Sequence, residues 1–174
     1  MAKRRERSLE ATAFHEAGHA VCCLVQRIRL TSITVVASSD YWGSVSHSNP
    51  LHGMHIEYDD SPRAQRRIEQ KALVCLAGIA AQQKYNPRSV RHWHWSSDRH
   101  DALKILGYLT RSDEELAAYF RLIEIRARGF VANPMHWKAI TNLAHKVVRC
   151  GTLAEEEIRQ SIYATFQNPL AREK

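Results

Sequence analysis

His15-Glu16-Ala17-Gly18-His19 is the segment whose residue types and spacing can do chemistry. Two histidines four apart on a helix lie about 40° apart around its axis and one turn along it, so both imidazoles reach one ion. Glu16 stands beside them, placed to take a proton from a metal-bound water. An ion such as zinc at this pair lowers the pKa of bound water and polarises a carbonyl, while the carboxylate carries the proton. That is the chemistry of a metal-assisted hydrolase. Gly18 adds a constraint. Glycine costs about 1 kcal/mol against alanine inside a helix, so its presence predicts an element packed closely behind the motif.

Such a site needs a third ligand. A histidine six residues after His19 would complete the metzincin pattern, but Val25 stands there. A glutamate on a later helix is another route, with Glu69 as its candidate. Asp98, in Ser96-Ser97-Asp98-Arg99-His100-Asp101-Ala102, is the better candidate, because it stands where a loop enters a helix. His100 and Asp101 are its neighbouring alternatives. His92, Trp93, His94 and Trp95 read either as the border of a substrate cleft, as a second metal site, or as a packed aromatic loop. His47, His52 and His55 lack tight ligand spacing and read as surface residues.

The elements that must position these groups are mostly helical. Apolar Ala13, Ala17, Val21, Leu24 and Ile28 step at helical spacing after Ser8, which predicts a helix from Ser8 to about Ile28. Thr31 to Ala37 is rich in β-branched residues and predicts a strand, with Gly43 to His47 pairing back onto it. Ser61 and Pro62 open a helix that Asn86 and Pro87 stop near Lys84. A helix follows Asp98 to about Leu109. Ser112 with Glu115 caps the next, ended by Gly129. Asn133 and Pro134 open another, ended by Gly151. Thr152 with Glu155 forms a second capping box for a last helix to about Phe166. Trp137, Ile140 and Ala144 are expected core, and Glu114, Glu115 and Glu155 to Glu157 are helix N-terminal charges. The fold class is mainly α with a small β-hairpin or sheet. One domain spans 8–168, between a basic tail, 1–7, and a short C-terminal tail, 169–174.

Composition excludes other classes. The 174 residues carry 44% hydrophobic and 25% charged side chains, which is globular and not disordered. No two of the seven glycines lie five apart, so there is no P-loop and no ATP chemistry of that kind. The least polar stretch, Ala72 to Ala81, is too short to cross a bilayer. Cys22, Cys23, Cys75 and Cys150 include no CxxC pair and read as buried thiols of a reducing, cytoplasmic environment. The net charge of +7 is partly local to Lys3, Arg4, Arg5 and Arg7, and does not argue for a nucleic-acid partner.

Four patches in order resemble the peptidase domain of the FtsH-type, AAA-associated zinc metalloproteases. They are Phe14-His-Glu-Ala-Gly-His-Ala-Val21; Ile33-Thr-Val-Val36 followed by Gly43; Leu76-Ala-Gly-Ile-Ala-Ala81; and Asp98 with Ala102. Thr152-Leu-Ala-Glu-Glu-Glu-Ile158 is similar to the end of that domain, so the resemblance covers about residues 8–162. It implies one zinc ion per chain held by His15, His19 and Asp98, with Glu16 as catalytic base. It also implies a helical peptidase fold and peptides or unfolded proteins as substrates. The chain departs from the family at Val90 to Trp95, where a glycine-rich approach is usual, and at Gln82-Gln83, where an acidic pair is usual. It shows neither the family's ATPase module nor its membrane anchors, so the expectation is a stand-alone, ATP-independent zinc endopeptidase. The alternatives are a catalytically silent zinc-bound interaction or regulatory domain, and a basic nucleic-acid-associated protein using Arg63, Arg66, Arg67 and Lys71.

Overall fold

Two long helices cross at the centre of the molecule. The computed structural model describes residues 2–38, 42–89 and 96–167. Helix α1 spans Ala2–Val25 and α2 spans Pro62–Tyr85. A Cβ on Gly18 would lie 2.7 Å from the Ala77 carbonyl oxygen and 2.7 Å from the Ala81 methyl. Only glycine admits that approach, so the packing expected behind the motif is supplied by α2. Phe14 stacks on Tyr85 at 3.9 Å, and the Tyr85 hydroxyl donates to Glu10, which ties the two helices at their other end.

Helix α1 begins at Ala2, six residues before the predicted cap at Ser8. Nothing between Ala2 and Ser8 breaks a helix, and alanine, lysine, arginine and glutamate all favour one. It ends at Val25 and not at Ile28, because Arg27 turns left-handed at φ 58°. Arg27 N–H then donates to Leu24 O at 3.0 Å and Ile28 N–H to Cys23 O at 2.8 Å, which is a Schellman closure with arginine at the usual glycine position.

The sheet is antiparallel with order β2-β1-β3: β1 is Leu30–Thr34, β2 Ser44–His47 and β3 Thr152–Ala154. The first two form the expected hairpin, with β1 starting at Leu30, just before the predicted Thr31, and ending at Thr34 instead of Ala37, and β2 starting at Ser44. β3 corrects the sequence reading: Thr152 is no helix cap. Its hydroxyl pairs with that of Thr34 at 2.8 Å, and the cap moves to Ala154, whose N–H donates to Glu157 at 2.9 Å. Ile33 faces Val45 on one side and Leu153 on the other, and Ile33 and Leu153 are fully buried.

Helix α3 (Ser96–Leu106) starts two residues before Asp98, which places that residue inside the first turn and not ahead of the helix. A 3-10 turn, Gly107–Leu109, ends it. Helix α4 (Asp113–Ala132) opens on Ser112, whose hydroxyl accepts from Glu115 N–H at 3.1 Å. It runs through Gly129 instead of stopping there, because Asn133 N–H donates back to Gly129 O and Pro134 then starts the next helix. Helix α5 (Pro134–Cys150) ends at Gly151 with φ 77°, as expected. Helix α6 spans Glu155–Gln167. The core is one cluster that includes Ile68, Leu106, Ile123, Ile140, Leu143, Ile158 and Ile162. No helix among the described residues is long and apolar enough to cross a membrane.

Candidate metal centre

His15 and His19 lie one turn apart on α1, and Asp98 reaches them from the first turn of α3. His15 Nε2 is 2.9 Å from Asp98 Oδ2, His19 Nε2 is 3.3 Å from the same oxygen, and the two Nε2 atoms are 2.9 Å apart. The structure thus brings the three sequence-chosen ligands to one point. Zinc bonds of about 2.0–2.1 Å on a tetrahedron set ligand atoms about 3.3 Å apart, so this triangle has the size of three tetrahedral corners.

The protons on these groups can be placed from their partners. His19 Nδ1 lies 2.8 Å from the Val74 carbonyl oxygen, which only accepts, so Nδ1 donates. Gln82 Nε2 donates to the Ser89 carbonyl oxygen at 3.4 Å, which turns Gln82 Oε1 towards His15 Nδ1 at 3.0 Å. His15 Nδ1 therefore also donates. When both imidazoles are neutral, their Nε2 atoms are lone pairs that face each other and a carboxylate oxygen. Three acceptors this close repel unless a cation lies among them.

A proton meets the same demand in part. Burial pushes the His19 imidazole down, but the Asp98 carboxylate, with Glu16 and the Val74 carbonyl, outweighs it and raises His19 to about 9. Burial pushes Asp98 up, yet His19 and His15 hold it well below the usual carboxylate range. Glu16, 7% exposed, is raised by burial, with His15 and His19 pulling it down and Asp98 pushing it up.

The other candidates lie elsewhere. Glu69 accepts from the Tyr119 hydroxyl and pairs with Arg126 at 3.0 Å, tying α2 to α4, and does not join the triad. His100 and Asp101 are exposed. His52 and His55 are exposed, while His47 is half-buried, its imidazole lowered by that burial. The 92–95 segment lies outside the described residues. Cys22 and Cys23 are buried and Cys75 partly so, but Cys150 is exposed, which corrects the reading of four buried thiols.

Sequence reasoning missed what surrounds the two histidines. Val74, Gly78 and Gln82 recur every four residues on α2, and that stripe lies along the motif. A Cβ on Gly78 would fall 2.3 Å from His19 Nε2. The sequence carries part of the signal, since Gln82 is a polar residue directly after the small and apolar run 76–81, but its partner is not encoded locally.

No protein-family model matches the chain, and no curated protein matches it.

Proposed function

We propose that this protein is a zinc-dependent endopeptidase, of the kind its resemblance to FtsH-type peptidase domains implies, acting on flexible or unfolded polypeptides. The observation that carries the reading is the convergence of His15 Nε2, His19 Nε2 and Asp98 Oδ2, with tautomers set by Val74 and Gln82, beside a buried glutamate. His15, His19 and Asp98 would hold the ion, which when bound supplies the Lewis acidity that lowers the pKa of a water and polarises a scissile carbonyl. Glu16 accepts the proton of the attacking water and returns it to the leaving amine. The burial of Glu16 keeps bulk water from competing for that transfer.

A polypeptide substrate is supported by β2. Among the described residues its outer edge pairs with no strand, and an extended chain can use such an edge. Gly43, just before β2, lies against Glu16: a Cβ there would sit 3.1 Å from Glu16 Oε1. The alternative, a silent zinc-bound interaction domain, calls for a fourth protein ligand. The described cluster holds three, which favours a position left for water or substrate.

The test is hydrolysis of casein by the zinc-loaded chain without ATP. Cleavage that a chelator abolishes and added zinc restores is the expected result. Zinc bound at one per chain with no cleavage of any unstructured protein would favour the silent domain.

A further inference from the structure

The two histidines are held in different ways. His19 is fixed by main chain: its Nδ1 donates to Val74 O, and the bare Cα of Gly78 lies against its ring. His15 is fixed by one side chain, Gln82, which is 5% exposed. The hydrogen bonds around that amide run in one direction. The Ser89 hydroxyl donates to Asn86 O at 2.7 Å. Its oxygen then accepts from Gln82 Nε2 at 3.3 Å, beside the 3.4 Å bond from the same nitrogen to Ser89 O. With Nε2 turned to Ser89, Oε1 is left for His15.

Ser89 is itself set by the chain's exit from α2. Asn86 N–H donates to Gln82 O, and Ser89 N–H donates to Asn86 O, each at 2.9 Å. The 3-10 turn Pro87–Ser89 is therefore bonded to the helix end that carries Gln82.

We propose that Gln82 is the positioning residue of this centre: clamped by Ser89, its amide holds His15 in the Nδ1–H tautomer with Nε2 turned to the ion, and does so without adding charge. The inference rests on the zinc reading above. A carboxylate in this place would also raise the basicity of the ligand, whereas a neutral amide fixes orientation alone. Ser89 thereby becomes a remote determinant of metal affinity, although it touches no ligand.

The test is zinc affinity of the full chain, by competition with a chromophoric chelator, in wild type, Gln82→Met, Gln82→Glu and Ser89→Ala. Methionine keeps the length and unbranched form of the side chain and removes the acceptor, so affinity should fall roughly 10–100-fold. Glutamate restores an acceptor for Nδ1 and should bind zinc at least as tightly as wild type. Ser89→Ala removes one of two acceptors for Nε2 and should cost roughly two- to fivefold. The visible absorption of bound cobalt should change in Gln82→Met and stay unchanged in Ser89→Ala. Wild-type affinity in Gln82→Met, or a loss in Gln82→Glu as large as in Gln82→Met, overturns the positioning role and leaves the zinc reading standing. Should Gln82→Met unfold, unchanged affinity in Ser89→Ala overturns the clamp. A wild-type chain that binds no zinc removes the zinc reading, and this inference with it.

Discussion

The α1–α2 crossing and the α3–α4 flank deliver ligands to the same triangle by different means. At the crossing, helix backbones touch: Gly18 lies against Ala77 and Ala81, and Gly78 against the ring of His19. Gly18 and Gly78 present bare α-carbons, one to the Ala81 methyl and the other to the His19 ring, so His19 cannot move without moving a helix. On the flank, α3 has eleven residues. Ala102 and Leu106 bury its inner face. Arg99, next to Asp98, pairs with Glu124 at 2.8 Å and lies over the Phe120 ring at 4.5 Å. Asp98 is thus held by one short helix and a partly exposed ion pair. Close packing makes the α1–α2 contact a platform for both histidines, while Asp98 rests on a shorter helix with a more exposed anchor.

The largest effect that would break this contrast belongs to the crossing. Gly78→Ala drives a methyl into His19, so zinc uptake should be lost and stability should fall by about 1–3 kcal/mol. Thermal unfolding of the metal-free protein, with zinc titration, reads both. Unchanged zinc affinity would mean that the platform is soft. Next comes Asp98→Asn, which should leave the fold intact and cut zinc affinity by more than the about 100-fold at the upper end for losing an outer partner. Arg99→Ala should cost below about 1 kcal/mol, as expected of a partly exposed pair. Its loss of zinc affinity should be clearly smaller than that of Asp98→Asn, and an equal loss would make α3 as dependent on its anchor as on its ligand.

Proton competition sharpens the same picture. Because His19 is raised to about 9, zinc must displace a proton from it at any lower pH. Affinity should therefore rise by about tenfold per pH unit up to about pH 9 and then level. Calorimetry in buffers of different ionisation heat should count about one proton released per zinc at pH 7.5. No proton release would contradict the His19–Asp98 pairing. The smallest effect is chemical. Burial pushes the Cys23 and Cys75 thiols up to about 12 and raises Cys22 well above its ordinary value. The thiolate is the reactive form, so these three, on α1 and α2, should resist alkylation at pH 8 while exposed Cys150 reacts. Mass spectrometry after iodoacetamide treatment checks the order.

What could be read from the sequence follows the same division. The metal helix, its histidine pair and the close approach at Gly18 were legible because helical periodicity and the cost of a mid-helix glycine are local properties. So were the caps at Ser61, Ser112 and Asn133, where one side chain meets the nearest N–H groups. Asp98 could be chosen from its place at a helix entrance, but not its distance to His15. Thr152 misled because a cap pattern and a short strand share residue types, and only the distant partner Thr34 decides between them. Gly129 misled because a glycine ends a helix only when the backbone turns left-handed there, as it does at Gly151. The roles of Gln82 and Val74 could not be read for a plainer reason: hydrogen bonds between residues more than fifty positions apart exist only once α1 and α2 have packed.

The central claim is that Glu16 moves the proton in hydrolysis at the triangle of His15, His19 and Asp98. Its most direct test pairs wild type with Glu16→Gln, reading zinc content by mass spectrometry and casein cleavage in the same preparations. About one zinc per chain in both, with cleavage in wild type alone, is the expected result. Equal cleavage by the two proteins, or a wild-type chain free of zinc, would contradict it.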